Sequence, residues 1–199
     1  VEGRITLSPL DNGTYEINGQ TFDKVILACG AWLGQTLEPL GFEVDVRPQK
    51  GQLRDYFFEG MDTAKLPVLM PEGELDVIPF AGGKISVGAS HENDQGFDLT
   101  VDETVLASLE EEAKTYFPDL STAKSFSERV GTRAYTSDFS PFFGEVPELE
   151  SVFVASGLGS SGLTTGPLIG KNLVELAMNR PGSLDSSDYP VSQYVKKKD

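Results

Sequence analysis

The sequence predicts a mixed α+β fold, with a mostly antiparallel sheet joined to a smaller part built on parallel strands. Three observations lead there. Two short apolar runs, Val25 to Ala28 and VFVAS at 152–156, each end in a glycine turn, the pattern of strands buried in a parallel sheet. Between them, VDVRP, GQLRDYFF, PVLMP, LDVIPF and KISVGAS alternate apolar and polar residues with Gly and Pro at their ends, the pattern of antiparallel strands with one solvated face. Two amphipathic stretches, 98–117 and about 162–179, carry helical spacing.

Each element has its own local reason. RITLS (4–8) and TYEI (14–17) flank Asp11-Asn12-Gly13 as a hairpin, and Asn18-Gly19 makes a second turn. VILA then runs into Gly30-Ala31-Trp32-Leu33-Gly34, a turn opening a short helix. In the first long helix, Thr100 and Glu103 form a capping box, Leu106, Leu109, Ala113 and Tyr116 share one face, and Pro118 ends it. SFSERVGTRAYT reads as one long strand that puts Arg129, Arg133 and Tyr135 on one side by period two. A Pro- and Phe-containing loop leads to VFVAS. Pro167 suits the first turn of the helix that follows. The tail has no period, and Lys196-Lys197-Lys198 is expected to be frayed and solvated.

Composition narrows the function. A chain of 199 residues with twelve Phe, six Tyr and one Trp buries a real core. Its formal charge of −15 opposes binding to nucleic acid or an anionic membrane surface. No apolar run reaches the roughly 18 residues of a membrane helix. The single Cys29 excludes an internal disulfide, points to a reducing, cytoplasmic compartment, and sits in an apolar run as a small buried hydrophobe. One histidine, His91, gives neither zinc-type spacing nor a hydrolase triad, and it is read as structural.

The stretch Gly157-Leu158-Gly159-Ser160-Ser161-Gly162 matches the dinucleotide fingerprint G-x-G-x-x-G literally. Its context does not. The fingerprint helix should return to a second buried parallel strand with an acidic end, and SLDSSDYP cannot be one. A nicotinamide-dependent dehydrogenase is therefore the lesser alternative. The physics of the stretch persists: a strand ending in glycines and opening a helix presents N–H groups and a positive dipole end, with small side chains that let a flat or anionic group approach. Close helix–strand packing without a ligand is the equal alternative for these glycines alone. Two such strand ends in one chain imply an elongated ligand touched at two places, and Arg133 has the planar fork that suits a carboxylate.

Five pieces in order, VILACGAW (25–32), RPQKGQ (47–52), ISVGASHENDQGFD (85–98), GTR with YTSD (131–138) and GLGSSGLTTGPLIGKNLVELA (157–177), resemble the FAD-dependent amine and amino-acid oxidoreductases of the D-amino-acid oxidase superfamily, glycine oxidase and sarcosine oxidase among them. That superfamily begins with an ADP-binding βαβ unit, to which nothing here corresponds. With Val1 as its first residue, the chain resembles the C-terminal part of such an enzyme, its missing partner being the N-terminal half of the same polypeptide. The resemblance implies a partial FAD-binding, Rossmann-like domain over 1–46, a substrate-binding domain over 47–137, and a return to the FAD domain over 138–199.

It also implies roles. Gly30, Ala31 and Trp32 would line the cofactor, and Gly157, Gly159, Ser160, Ser161, Gly162 and Leu163 would border its flavin. Arg133 would grip a substrate carboxylate, with a structural ion pair as its alternative. Tyr135 would help line the pocket, or serve as a core tyrosine. The implied reaction oxidises the C–N bond of a small amine or amino acid by hydride transfer to flavin N5, with FAD held non-covalently because no cysteine lies near Arg133. The second class of reading is an inactive folded fragment or binding module. Two departures stand: Leu158 replaces a histidine of many relatives, and Asp76 stands where glycine-oxidase-like members often place tyrosine.

Overall fold

The computed structural model describes residues 5–198, so Val1, Arg4 and Asp199 lie outside the described residues. In chain order the elements are β1 (Leu7–Pro9), β2 (Tyr15–Ile17), β3 (Gln20–Phe22), β4 (Val25–Leu27), α1 (Leu33–Leu37), β5 (Phe42–Val44), β6 (Arg47–Phe57), β7 (Asp76–Pro79), β8 (Lys84–Gly88), α2 (Glu103–Tyr116), β9 (Lys124–Tyr135), β10 (Phe142–Glu145), β11 (Val152–Ser156), α3 (Gly162–Ala177), α4 (Val191–Tyr194) and β12 (Val195–Lys197). They divide into two compact units, 1–48 with 133–199, and 49–132. The mixed α/β class with antiparallel sheets is what the sequence predicted.

In the first unit, β1, β2 and β3 form an antiparallel meander. Its second turn holds Asn18 at φ 52° and Gly19 at φ 75°, the left-handed pair that tight hairpins require. The central sheet has the order β10-β11-β4, with β11 parallel to β4 and antiparallel to β10. Val152 and Val154 point into a core with Leu27, Leu33, Phe42 and Phe142. Phe153, on the other face, packs with Ile169 and Leu173 of α3.

β11 is thus buried on both faces, whereas β4 is not: Val25 and Leu27 are buried but Ile26 is 41% exposed. The apolar run at 25–28 was expected to be covered on both sides. It lies at the edge of this sheet, where α3 covers its neighbours instead. The strand β10 stands where a loop was expected.

The tail also departs from expectation. Val195 is 1% exposed, and β12 pairs antiparallel with β5. Lys197 lays its ammonium 4.4 Å from the Phe42 ring centre and donates to Leu40 O at 2.9 Å. An amphipathic lysine stem packs while its charged end stays wet, so a run of three lysines need not fray.

In the second unit the sheet order is β7-β8-β6-β9. Tyr56, Val77, Ile85 and Val87 face Leu109 and Ala113 of α2. The segment PVLMP is not a strand; only Leu69 bridges to Val77. The helix cap is Asp102, whose carboxylate accepts the N–H groups of Thr104 and Val105 at 2.9 and 3.3 Å. Thr100 instead completes a turn on Asp98, so the expected capping box does not form. Asp55, almost fully buried in this sheet, accepts from Ser86, Ser127 and Arg129, and Lys84 stands 2.9 Å away. Arg129 is thereby committed to a structural ion pair.

Candidate functional site

The two glycine-ended strand tips are neighbours. Because β4 and β11 run parallel in register, Val152 opposite Val25 and Val154 opposite Leu27, their carboxyl ends emerge side by side. The Ser156 hydroxyl donates to Gly30 O at 3.0 Å and ties one tip to the other. In an open sheet this is the edge where ligands bind.

The first tip turns through a 3-10 segment, Gly30–Trp32, before α1. Gly30 takes φ 55°, and a Cβ added there would meet nothing within 4 Å, so the turn faces open space. Ala31 is buried, and Trp32 is 47% exposed beside it. Cys29, expected to be buried, is half-buried, and it packs against the apolar core.

At the second tip, Gly157 (φ 74°) is buried, and a Cβ there would lie 2.9 Å from both Ser140 O and Thr136 Cγ2. This glycine serves close chain packing. Gly159 (φ 53°) passes 4.0 Å from Ala134 O, measured from an added Cβ, which brings the end of β9 over the turn. Ser160 and Ser161 are exposed. Gly162 opens α3, and Leu163 in its first turn is 97% exposed.

That helix start has no side-chain cap and no acidic residue in its first turn. The Ser161 hydroxyl donates backward to Leu158 O at 2.8 Å. The first N–H groups of a helix lack intrahelical partners and carry its positive dipole end. Pro167 falls beyond the first turn, inside the helix, contrary to expectation. Leu158, in the place of the expected histidine, packs in the α3 core.

The end of β9 supplies Arg133, half-buried, and Tyr135, buried and stacked on Phe139 at 5.5 Å between ring centres. Two residues apart on a strand, they share a side. Asp138, at the following turn, is held below the usual carboxylate range, chiefly by the backbone N–H of Ser140 and despite desolvation, with Tyr194 and Thr136 adding hydrogen bonds. This turn anchors the β9 end, and no pattern in the sequence announced it. His91, in the second unit, is half-buried, with its Nδ1 3.3 Å from a Glu74 carboxylate oxygen.

These residues fit a flavin. An uncapped positive helix end, backbone unshielded by side chains at 30, 159 and 162, and exposed apolar Trp32 and Leu163 together suit a flat group that gains negative charge. A dinucleotide fingerprint, by contrast, needs α3 to return to a parallel strand. The chain after α3 instead forms α4 and β12, and β12 pairs with β5 outside the β10-β11-β4 sheet. Among the described residues no helix is long and apolar enough to cross a membrane, and no cluster of His, Cys, Asp and Glu could hold a metal.

The chain is 39% identical over 168 residues, 84% of its length and 45% of the relative's, to the uncharacterized oxidoreductase YurR of Bacillus subtilis. It is 32% identical over 174 residues, 87% of this chain and 46% of the relative, to a glycine oxidase of Pseudomonas aeruginosa. The crystal structure of an iminodiacetate oxidase from Chelativorans superposes with a TM-score of 0.89 at 30% identity, covering 94% of this chain and 52% of that one. The chain spans about half the length of the curated relatives it matches. Residues 3–176 match the model of the DAO family, described as FAD dependent oxidoreductase, and the chain belongs to that family.

Proposed function

We propose that this chain forms the substrate-side and flavin-edge part of an enzyme that oxidises the C–N bond of a small amine or amino acid. The supporting observation is the pair of adjacent strand tips joined by the Ser156–Gly30 hydrogen bond, with the uncapped α3 start beside them. FAD, when bound, supplies the two-electron acceptor. Gly30, Ala31 and Trp32 border it at one tip, and Gly159, Ser160, Ser161, Gly162 and Leu163 at the other. Gly157 shapes the second turn from beneath. The α3 dipole stabilises negative charge at that edge. No cysteine neighbours Arg133, so the cofactor is held without a covalent bond.

Arg133 grips the substrate carboxylate and orients the carbon that loses its hydrogen, while Tyr135, wedged against Phe139, backs the strand that presents Arg133. An amine that enters neutral needs no side chain to take its proton. In this division of labour, 1–46 and 138–199 belong to the FAD-binding domain and 47–137 to the substrate domain. The enzyme works in the cytoplasm on a soluble small molecule.

In the complete FAD-loaded enzyme, Arg133→Ala should raise KM for a carboxylate substrate at least tenfold. An unchanged KM removes Arg133 from the site. A second reading follows from the half-length match: alone, the chain is a binding module without the ADP-binding half. The visible spectrum of the 199-residue chain purified with FAD separates the two, because retained flavin bands support a competent site and a colourless folded protein supports the module.

A further inference from the structure

The second unit holds a cavity of about 260 Å³ that the proposed reaction does not use. One side is the outer part of the sheet, where Val77, Pro79 and Ile85 face the helix. The opposite side is the end of α2, with Tyr116 and Phe117. Leu66, Pro67 and Leu69 flank it from the segment that bridges to β7 through Leu69 and Val77, with Leu66 and Pro67 exposed, so the cavity is open to solvent on this side.

Its lining residues are almost all apolar. Two are prolines, and the Phe117 ring is fixed edge-on against Phe58 at 5.6 Å and 62°. The single polar handle is the Tyr116 hydroxyl, which has no hydrogen-bond partner among the described residues. Tyr116 continues the buried stripe of Leu106, Leu109 and Ala113, yet it is 50% exposed because it stands at the mouth of the cavity. Water gains little in such a space, since it needs two or more polar partners.

We infer that this cavity is a binding site for a small planar aromatic molecule bearing one hydrogen-bonding group, of about the size of indole. An apolar cavity of about 150 Å³ accepts benzene, and the larger volume here leaves room for a second fused ring. Ring walls favour an aromatic guest over an aliphatic one of equal volume through offset and edge-on contacts. The Tyr116 hydroxyl then meets the polar group of the guest at the mouth.

The test uses the full chain with its methyl groups labelled with carbon-13, titrated with indole and followed by NMR. The expected result is saturable shifts confined to Leu66, Leu69, Val77 and Ile85, with a Kd on the order of 1 mM or tighter. Leu69→Trp, at a half-buried position, fills the cavity and should weaken indole at least tenfold. Tyr116→Phe should weaken it about threefold while leaving the fold intact. Should Leu69→Trp fail to fold, Tyr116→Ala takes its place with the same expected loss. No saturable shift, saturable shifts centred elsewhere, or an affinity unchanged by the filling variant would each overturn the inference.

Discussion

Gly157 and Gly30 share a left-handed backbone but not an environment, and alanine at each position separates the two effects. At φ 74° and 55° both substitutions incur the conformational penalty of an L-residue, about 1–2 kcal/mol. Both also lose unfolded-chain entropy, which offsets some of it equally and cancels in the comparison. Only Gly157→Ala drives a Cβ to 2.9 Å from a backbone oxygen, Ser140 O, and to 2.9 Å from Thr136 Cγ2, where Gly30→Ala meets nothing within 4 Å. Overpacking of that kind adds about 1–3 kcal/mol. Gly157→Ala should therefore be less stable than Gly30→Ala by about 2 kcal/mol. With a urea slope of about 2 kcal/mol/M, the unfolding midpoint falls by roughly 1 M more. Trp32, the sole tryptophan, lies in the same unit and reports the transition by its fluorescence. Midpoints agreeing within about 0.3 M would refute the claim that Gly157 is a packing glycine and Gly30 a surface one.

Other consequences follow from particular contacts. Asp55→Ala leaves buried Ser86, along with Ser127 and the partly exposed Arg129 and Lys84, without their acceptor and should cost about 1–3 kcal/mol in a denaturant titration. Burial pushes the Asp55 carboxyl up, but hydrogen bonds from Ser86, Arg129, Lys84 and Ser127 together hold it far below the usual range. Its contribution is therefore complete above the unfolded value of about 3.9 and drains away as pH falls below it. The variant's stability should change less between about pH 4 and pH 2 than that of the wild type, read by circular dichroism. Truncation after Pro190 removes buried Val191, Tyr194 and Val195, each worth about 1.5–3 kcal/mol, and should abolish the cooperative Trp32 transition. Asp102→Ala removes the α2 cap and should cost about 1 kcal/mol, whereas Thr100→Ala should cost clearly less.

That last pair shows where the sequence was legible and where it was not. Asp98-Leu99-Thr100 and Asp102-Glu103-Thr104 are the same local device, a carboxylate accepting the N–H two residues on. Local chemistry cannot choose between them. Packing does: Val101 is 40% exposed and Leu106 is 1% exposed, so the helix begins where its stripe first meets the sheet. The lysine tail hid its strand because charge dominates its composition, and only the Phe42 ring and the β5 edge reveal a partner. β10 went unseen because four residues behind Pro141 carry no period of their own, and β11 is what orders them. By contrast, β4 and β11 were readable because a continuous apolar run ending in glycine needs nothing distant to identify it. Their adjacency was readable only as a proposal, through the elongated ligand that two such ends imply.

The glycines after β11 show why a spacing pattern alone misleads. Gly157, Gly159 and Gly162 satisfy one fingerprint, yet each answers a different demand. Gly157 is needed because residues 136–141 crowd its α-carbon. Gly159 turns left-handed beneath Ala134 O at the end of β9. Gly162 has ordinary helical φ −57°, and an added Cβ would meet only Leu158 Cβ at 3.6 Å, so nothing in its own backbone demands glycine. Under the proposed function, a small residue there leaves room for the cofactor to approach the α3 start. Of the three, Gly162 is therefore the position at which alanine should leave the fold unchanged while lowering flavin affinity in the complete enzyme. Equal flavin affinity in Gly162→Ala would mean that the α3 start does not face the cofactor.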